Sequence, residues 1–237
     1  MFRILMMVFR NIFRVPGAYL KLCHYAKHTD EYDELEKYNH IRYIMNMAVT
    51  SGNIDLQVTG TEKLPAEDGF ILYANHQGMF DVVAIVAAFE RKLAAVFKIE
   101  LSNIPFLKQI IACTNSFAMD RDDVRQSLGV IGNVTKEVLK GRNYIIFPEG
   151  TRSRDGNQMR DFHGGSFRCA IKAKCPVVPV AFIDSYKVLD QKGCKQVAVQ
   201  LHFLDPIYYD EYKDMKTGEL AELVHDRIEE VVKKCAD

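Results

Sequence analysis

A histidine and an aspartate five residues apart form a candidate general-base pair. His76 and Asp81 lie in the segment ANHQGMFD (74–81), directly after a short apolar segment. A carboxylate on one ring nitrogen fixes the imidazole tautomer and stabilises the imidazolium, so the other nitrogen can take a proton from a hydroxyl group. A lone pair of this kind more often caps a helix than performs catalysis, so the pair needs support from elsewhere in the chain.

A second polar segment, FPEGTRSRDG (147–156), has the composition of an anion-binding loop. Gly150 permits a tight turn and close backbone approach, and Glu149, Arg152 and Arg154 are crowded beside it. An arginine fork suits bidentate recognition of phosphate. Taken alone, the segment is equally compatible with a solvated surface loop.

The elements that must position these segments alternate along the chain. Strands are predicted at 54–60, 70–75, 93–98, 116–120, 143–147, 177–182 and 197–203. Helices are predicted at 31–50, 82–89, 105–112, 122–140, 164–174 and 217–235. The alternation predicts an α/β fold with a mostly parallel sheet flanked by helices, which binds ligands where strands end. We expect one α/β domain at 51–237, preceded by a two-helix segment at 1–50.

Composition narrows the class of protein. The 237 residues are 48% hydrophobic, and 31 basic residues balance 31 acidic ones. A neutral chain of this kind gives no general reason to expect nucleic acid as a partner. Uncharged apolar runs fall short of the roughly 20 residues that span a bilayer. The six cysteines form no CxxC pair and match no zinc spacing, so we predict reduced thiols and no metal site.

The first 29 residues carry an excess of positive charge. Their cations are Arg3, Arg10, Arg14, Lys21 and Lys27, and they contain no acid. On a helix the three arginines share one stripe, and apolar residues cover the rest. We predict an interfacial helix whose arginines face anionic headgroups and which ends or kinks at Pro16–Gly17. The alternative is a terminal helix packed on the core with its arginines in solvent.

Five segments in order give the chain a family resemblance. NHQGMFD (75–81) followed by FPEGTRS (147–153) resembles the glycerophospholipid acyltransferase superfamily, most closely the 1-acylglycerol-3-phosphate acyltransferases. The segments KIELSNIPFLK (98–108), MDR (119–121) and VPVAF (178–182) are similar to further family blocks. The resemblance covers roughly residues 56–185. One departure is His163, which stands where the family usually has a lysine.

The resemblance implies roles for individual residues. His76 would deprotonate the free hydroxyl of the acceptor, and Asp81 would orient it and stabilise its charge. Arg152 would hold the acceptor phosphate, and Glu149 would order the loop or contact the glycerol. The implied substrate-binding residues are Glu149, Gly150, Thr151, Arg152, Arg121 and Lys98. No metal and no cofactor are implied beyond an acyl thioester, either acyl-CoA or acyl carrier protein.

The resemblance also implies a reaction and a location. The acyl group would pass to the sn-2 hydroxyl of 1-acylglycerol 3-phosphate (lysophosphatidic acid), giving phosphatidic acid for phospholipid biosynthesis. The protein would sit on anionic lipid at the cytoplasmic face of a membrane, as a peripheral or monotopic enzyme. Two alternatives stay open: a relative that acylates glycerol 3-phosphate or another lysophospholipid, and a non-catalytic peripheral lipid-binding module. A serine hydrolase is disfavoured, because the chain has no GxSxG segment.

Overall fold

A seven-stranded sheet lies at the centre of the molecule. In a computed structural model, which describes residues 2–236, the strands are β1 (Ile54–Thr59), β2 (Ile71–Ala74), β3 (Leu93–Lys98), β4 (Phe117–Met119), β5 (Asn143–Ile146), β6 (Val177–Ile183) and β7 (Val197–Phe203). Their order is β1-β7-β6-β2-β5-β3-β4. Neighbouring strands are parallel, except that β6 and β7 run antiparallel. The predicted α/β fold with a mostly parallel sheet is confirmed.

Helices cover both faces of this sheet. They are α1 (Phe2–Arg10), α2 (Val15–Lys27), α3 (Glu34–Ser51), α4 (Phe80–Ala88), α5 (Leu107–Thr114), α6 (Val124–Leu139), α7 (Arg168–Ala173), α8 (Tyr186–Leu189), α9 (Tyr209–Tyr212) and α10 (Thr217–Cys235). Short 3-10 turns occur at Thr61–Lys63, Ile99–Leu101 and Gly164–Phe167. The predicted helix at 164–174 is therefore a 3-10 turn followed by the short α7.

Alternate residues of the central strands supply two cores. In β2, Leu72 and Ala74 face α2 to α5, whereas Ile71 and Tyr73 face α6, α7 and α10. Successive side chains of a strand point to opposite faces, and here both faces are buried, so β2 is apolar throughout. The two cores hold the carboxyl ends of β2, β5 and β6 rigidly side by side.

The N-terminal segment contains three helices rather than the predicted two. The break falls at residues 11–14, and Pro16 lies in the first turn of α2 instead of ending a helix. Proline is tolerated there, because the first turn of a helix leaves its N–H groups without intrahelical partners. Helix α3 begins at Asp33, whose carboxylate accepts hydrogen bonds from the amides of Leu35 and Glu36.

The orientation predicted for the N-terminal arginines is wrong for Arg3. Arg3 is only 4% exposed and donates hydrogen bonds to the carbonyls of Gly52 (2.6 Å), Val188 (2.9 Å) and Lys195 (3.0 Å). Arg10 donates to the carbonyl of Ser51 at 2.9 Å. A helix end leaves carbonyls unpaired, and the guanidinium donors satisfy them. The packed alternative, with arginines in solvent, fails for Arg3 for the same reason, whereas Arg14 is exposed.

The apolar side of α1 faces outward instead. The exposed large apolar residues of the first 20 positions are Phe2, Ile4, Leu5, Val8, Phe9, Ile12, Phe13 and Leu20, which we call the apolar face. Phe9 is 76% and Phe13 97% exposed. No helix within residues 2–236 has both the length and the apolar character needed to cross a bilayer. All six cysteines are free thiols, as predicted.

Candidate active site

The two polar segments meet at the carboxyl ends of β2 and β5. Tyr73 of β2 pairs with Ile146 of β5, so the residues that follow each strand leave the sheet together. The amide of His76 donates to Glu149 Oε1 at 2.8 Å, and the amide of Ser153 donates to the carbonyl of His76 at 2.9 Å. The predicted convergence of the segments is therefore present in the structure.

The candidate base is held by a buried carboxylate. His76 Nδ1 lies 2.7 Å from Oδ2 of Asp81, which is fully buried in the first turn of α4. The same oxygen accepts hydrogen bonds from the amides of Gln77 (2.7 Å) and Gly78 (3.0 Å). With Nδ1 engaged, Nε2 is the ring nitrogen left for a proton acceptor role. The imidazole side chain is 19% exposed, so this nitrogen has access from outside.

A network of polar side chains surrounds Asp81. Ser185, fully buried after the end of β6, donates its hydroxyl to Asp81 Oδ1. The amide of Ser185 donates to Gln77 Oε1 at 3.0 Å, and Gln77 Nε2 donates to Asn157 Oδ1 at 2.7 Å. Asn157 in turn bonds Asp184. Sequence reasoning missed this network, because isolated Gln, Asn and Ser residues carry no periodic or spacing signal.

Glu149 is the one carboxyl group of the site with unused hydrogen-bonding capacity. It is 3% exposed, and among residues 2–236 its Oε2 atom has no hydrogen-bond partner. Burial raises the pKa of Glu149 to about 7, against the opposing effect of the hydrogen bond from the His76 amide. At neutral pH this group is therefore partly protonated and able either to donate or to accept a hydrogen bond.

The loop that follows Glu149 needs glycine at its turn. Gly150 has φ +73°, and an added Cβ would lie 3.2 Å from Cδ2 of His163. The amide of His163 donates to the carbonyl of Pro148 at 2.9 Å, which places the imidazole against the turn. Thr151 is exposed and Arg152 half-buried, directly beside the Ser153 amide that bonds His76.

Lys98 and Arg121 also lie at the carboxyl ends of strands, but farther from His76. Lys98 is the last residue of β3 and pairs with Glu100, and Arg121 follows β4 by two residues. Adjacent strands are spaced by about 4.8 Å, so β3 and β4 lie roughly 10 and 14 Å from β2. The structure thus brings together His76, Asp81 and the loop 149–152, and places Lys98 and Arg121 at the far side of the same edge.

The arrangement offers a base beside a cationic loop. It can take a proton at His76 Nε2 and hold an anion within reach of Arg152. Potential metal-ligand atoms come together at His225, Asp226 and Glu229, which lie on α10 and not at the carboxyl ends of the strands.

The sequence matches a known family model. The model, described as Acyltransferase, covers residues 55–183, which is more than half of the chain and includes His76, Asp81 and the loop 149–152. A solved structure, the 1-acyl-sn-glycerophosphate (LPA) acyltransferase PlsC from Thermotoga maritima, has the same fold with a TM-score of 0.72. It is 23% identical, and the alignment covers 97% of each chain.

Curated relatives agree with this family. A protein of Saccharomyces cerevisiae named 1-acyl-sn-glycerol-3-phosphate acyltransferase is 29% identical over 76% of this chain, and the chain spans 61% of its length. The Escherichia coli protein of the same name is 31% identical, with 70% of each chain covered. The chain therefore belongs to the acyltransferase family, among the 1-acyl-sn-glycerol-3-phosphate acyltransferases.

Proposed function

We propose that the protein transfers an acyl group from an acyl thioester to the sn-2 hydroxyl of 1-acylglycerol 3-phosphate, giving phosphatidic acid. One observation carries the proposal: the loop bearing Arg152 is hydrogen-bonded to the backbone of the same histidine that Asp81 orients. The base and the phosphate-binding loop are thereby fixed relative to one another. This suits a small acceptor whose reacting hydroxyl and phosphate are only a few bonds apart.

The proposed reaction uses His76 as its proton carrier. Nε2 takes the proton of the acceptor hydroxyl while the hydroxyl oxygen bonds to the thioester carbonyl carbon. The tetrahedral intermediate then collapses, the carbon–sulfur bond breaks, and the leaving thiolate receives the proton from the imidazolium. Asp81 stays ionised throughout and stabilises the imidazolium that forms between the two steps. No cofactor is needed beyond the thioester.

The phosphate of the acceptor would bind to the loop after β5. Arg152 offers two parallel donors and Thr151 a hydroxyl, and the turn at Gly150 lets the backbone approach closely. Glu149 Oε2, unpaired and buried at the base of the loop, suits a hydroxyl group of the glycerol. Lys98 and Arg121 would add long-range attraction at the far side of the edge, where a larger phosphate-bearing group of the donor also fits.

The placement of α1 supports a membrane location. Arg3 donates a hydrogen bond to Val188 of α8, and α8 directly follows Ser185, which lies after the end of β6 and contacts Asp81. The apolar face therefore lies near the carboxyl ends of β2, β5 and β6, which we call the carboxyl edge of the sheet. Exposed apolar side chains of this extent suit partial burial among lipid tails, and both acceptor and product are lipids. We place the enzyme on the cytoplasmic face of a membrane as a peripheral or monotopic protein.

An acceptor panel with one acyl donor tests the proposed function. Purified protein would receive labelled acyl-CoA together with lysophosphatidic acid, glycerol 3-phosphate or a zwitterionic lysophospholipid, with the His76→Ala variant as control. Preferential transfer to lysophosphatidic acid supports the proposal, whereas preference for glycerol 3-phosphate identifies the alternative substrate. Vesicle binding without transfer from either acyl-CoA or acyl carrier protein would identify the non-catalytic module instead.

A further inference from the structure

A cleft of about 470 Å³ lies outside the site described above, between the α1–α2 junction and the C-terminal half of α3. One wall consists of Arg10, Asn11 and Arg14. The other consists of Tyr43, Asn46, Met47, Thr50 and Ser51. No acidic residue lines it, and the two arginines stand opposite amide and hydroxyl groups and the apolar side chain of Met47.

The two arginines differ in how far they are already used. Arg10 donates a hydrogen bond from one guanidinium nitrogen to the carbonyl of Ser51, which holds its side chain at the side of the cleft. Arg14 is exposed, and within the part of the chain that the structure describes, no hydrogen bond or ion pair of its side chain is found. Guanidinium groups recognise phosphate with paired donors, and Arg14 has such donors available.

The position of the cleft identifies the kind of anion. Phe9, Ile12 and Phe13 of the apolar face alternate in sequence with the arginines of the cleft wall and are exposed. A ligand seated on Arg14 would therefore have lipid tails beside it if the apolar face enters the bilayer. A free anion such as inorganic phosphate gains nothing from these apolar neighbours.

We propose that this cleft binds the phosphate group of an anionic phospholipid that is not the acceptor undergoing acylation. The inference rests on the membrane association proposed above. It differs from a general attraction by the basic segment, because Arg3 is buried in the protein and the headgroup would sit in a discrete cleft between Arg10, Arg14 and α3. The bound headgroup would fix the depth and the rotation of α1, and with them the approach of lipid to the carboxyl edge.

Vesicle binding by the full chain, without acyl donor or acceptor, tests this proposal. The probes are phosphatidylcholine vesicles with and without phosphatidylglycerol, at low salt. Arg14→Gln should weaken binding to the anionic vesicles about fivefold and leave binding to phosphatidylcholine unchanged, since one interfacial cation contributes about that factor. Arg168→Gln is the matched control: it removes an exposed arginine from α7, on the opposite face of the sheet.

A second variant separates a discrete site from diffuse charge. Thr50→Phe fills the cleft without changing the net charge, and its side chain is exposed, so the fold should be retained on thermal unfolding. It should lose the preference for phosphatidylglycerol as Arg14→Gln does. The proposal would be overturned if Thr50→Phe kept the wild-type preference for phosphatidylglycerol vesicles. It would also be overturned if Arg14→Gln and Arg168→Gln lost equal amounts of binding to these vesicles. If wild-type protein binds no vesicles, both membrane inferences fail while acyl transfer in detergent stays separately measurable.

Discussion

Charged residues at the amino ends of the central strands (the amino edge) have partners within the protein, whereas at the carboxyl edge one buried carboxyl oxygen is unpaired among the described residues. At the amino edge, Arg142 bonds Glu34 at 2.6 and 3.0 Å and Glu137 at 3.1 Å, and Arg91 bonds Asp68. At the carboxyl edge, Glu149 keeps one oxygen unpaired among the described residues. Charges with local partners join helices to strands, whereas charges kept without partners are available to a ligand.

The difference has a structural cause. Glu34 stands in the first turn of α3, and Glu137 in the last turn of α6, so both helices are fastened to the start of β5 through one guanidinium. Within residues 2–236 no salt bridge fixes Arg152, and its loop is held by backbone hydrogen bonds and by the bond from the His76 amide to the Glu149 carboxylate. The comparison implies that variants at the amino edge change stability and that variants at the carboxyl edge change activity.

The largest expected effect is the loss of the proposed base. His76→Ala should lower acyl transfer by about a hundredfold or more, which is the usual contribution of a positioned general base. Its thermal unfolding should match that of the wild type, because the imidazole is partly exposed and its backbone bonds remain. Full transfer activity in this variant would contradict the role of His76 as the base. It would also contradict the inference that variants at the carboxyl edge change activity.

Arg152→Ala tests the anion-binding half of the carboxyl edge. The KM for lysophosphatidic acid should rise about tenfold or more, as expected for a lost charge-assisted hydrogen bond, with the donor KM less affected. An acceptor without phosphate is the control. If its transfer falls by the same factor, Arg152 has a structural role and the edges are more alike than we infer.

Arg142→Ala tests the amino edge. Unfolding by denaturant should show a loss of about 1–2 kcal/mol, since Glu34 and Glu137 lose the guanidinium that joins them and keep only Lys92 and Lys140 as cationic partners. The ratio of transfer rates between acceptors should stay at the wild-type value. The matched variant Arg152→Ala should shift stability by less than about 0.5 kcal/mol. A reversal of these two stabilities would contradict the comparison.

Ser185→Ala examines how far the buried network supports the histidine. Removing the donor to Asp81 Oδ1 should lower kcat roughly fivefold to tenfold and alter the pH profile of kcat, with little change in KM. Thr135→Val, which removes a buried hydroxyl from α6, is the control for stability alone. An unchanged pH profile in Ser185→Ala, with equal losses of stability in both variants, would reduce Ser185 to a packing role.

The smallest expected effect concerns Glu149. Its pKa of about 7 lies above the ordinary value of 4.5, so the folded state holds a proton that the unfolded state releases. Stability from this group is present below pH 4.5 and is lost as the pH rises to about 7. Glu149→Gln, neutral at every pH, should therefore gain on the order of 1 kcal/mol over wild type at pH 8 and little at pH 5. Equal shifts at both pH values would contradict the raised pKa.

Periodicity predicted the regular elements well, because apolar alternation and spacing directly report burial. Each of the seven predicted strands overlaps an observed one, and the helix predicted at 122–140 begins at the cap formed by Asp123. Position relative to proline was less informative: Pro16 is compatible with the start of a helix as well as with an end. The short helices α8 and α9 were missed, since four residues give no measurable period.

The site was predictable where it depends on charged residues in short segments. His76, Asp81 and Glu149 meet as the motifs indicate, and their roles stay predictions that the variants above test. The direction of Arg3 was not predictable, because its partners are backbone carbonyls from three distant parts of the chain. A helical stripe shows which residues share a side, and tertiary contacts decide which way that side points.

The three carbonyls that hold Arg3 impose an order on assembly. Gly52, Val188 and Lys195 follow it by 49, 185 and 192 residues, so the helix is synthesised long before its docking site exists. Until β6 has formed and the chain has turned back toward β7, the Gly52 carbonyl is the one of these three acceptors that can be in place. Docking of α1 is therefore completed late in folding, because two of its three contacts need β6 and the segment before β7 to be in place.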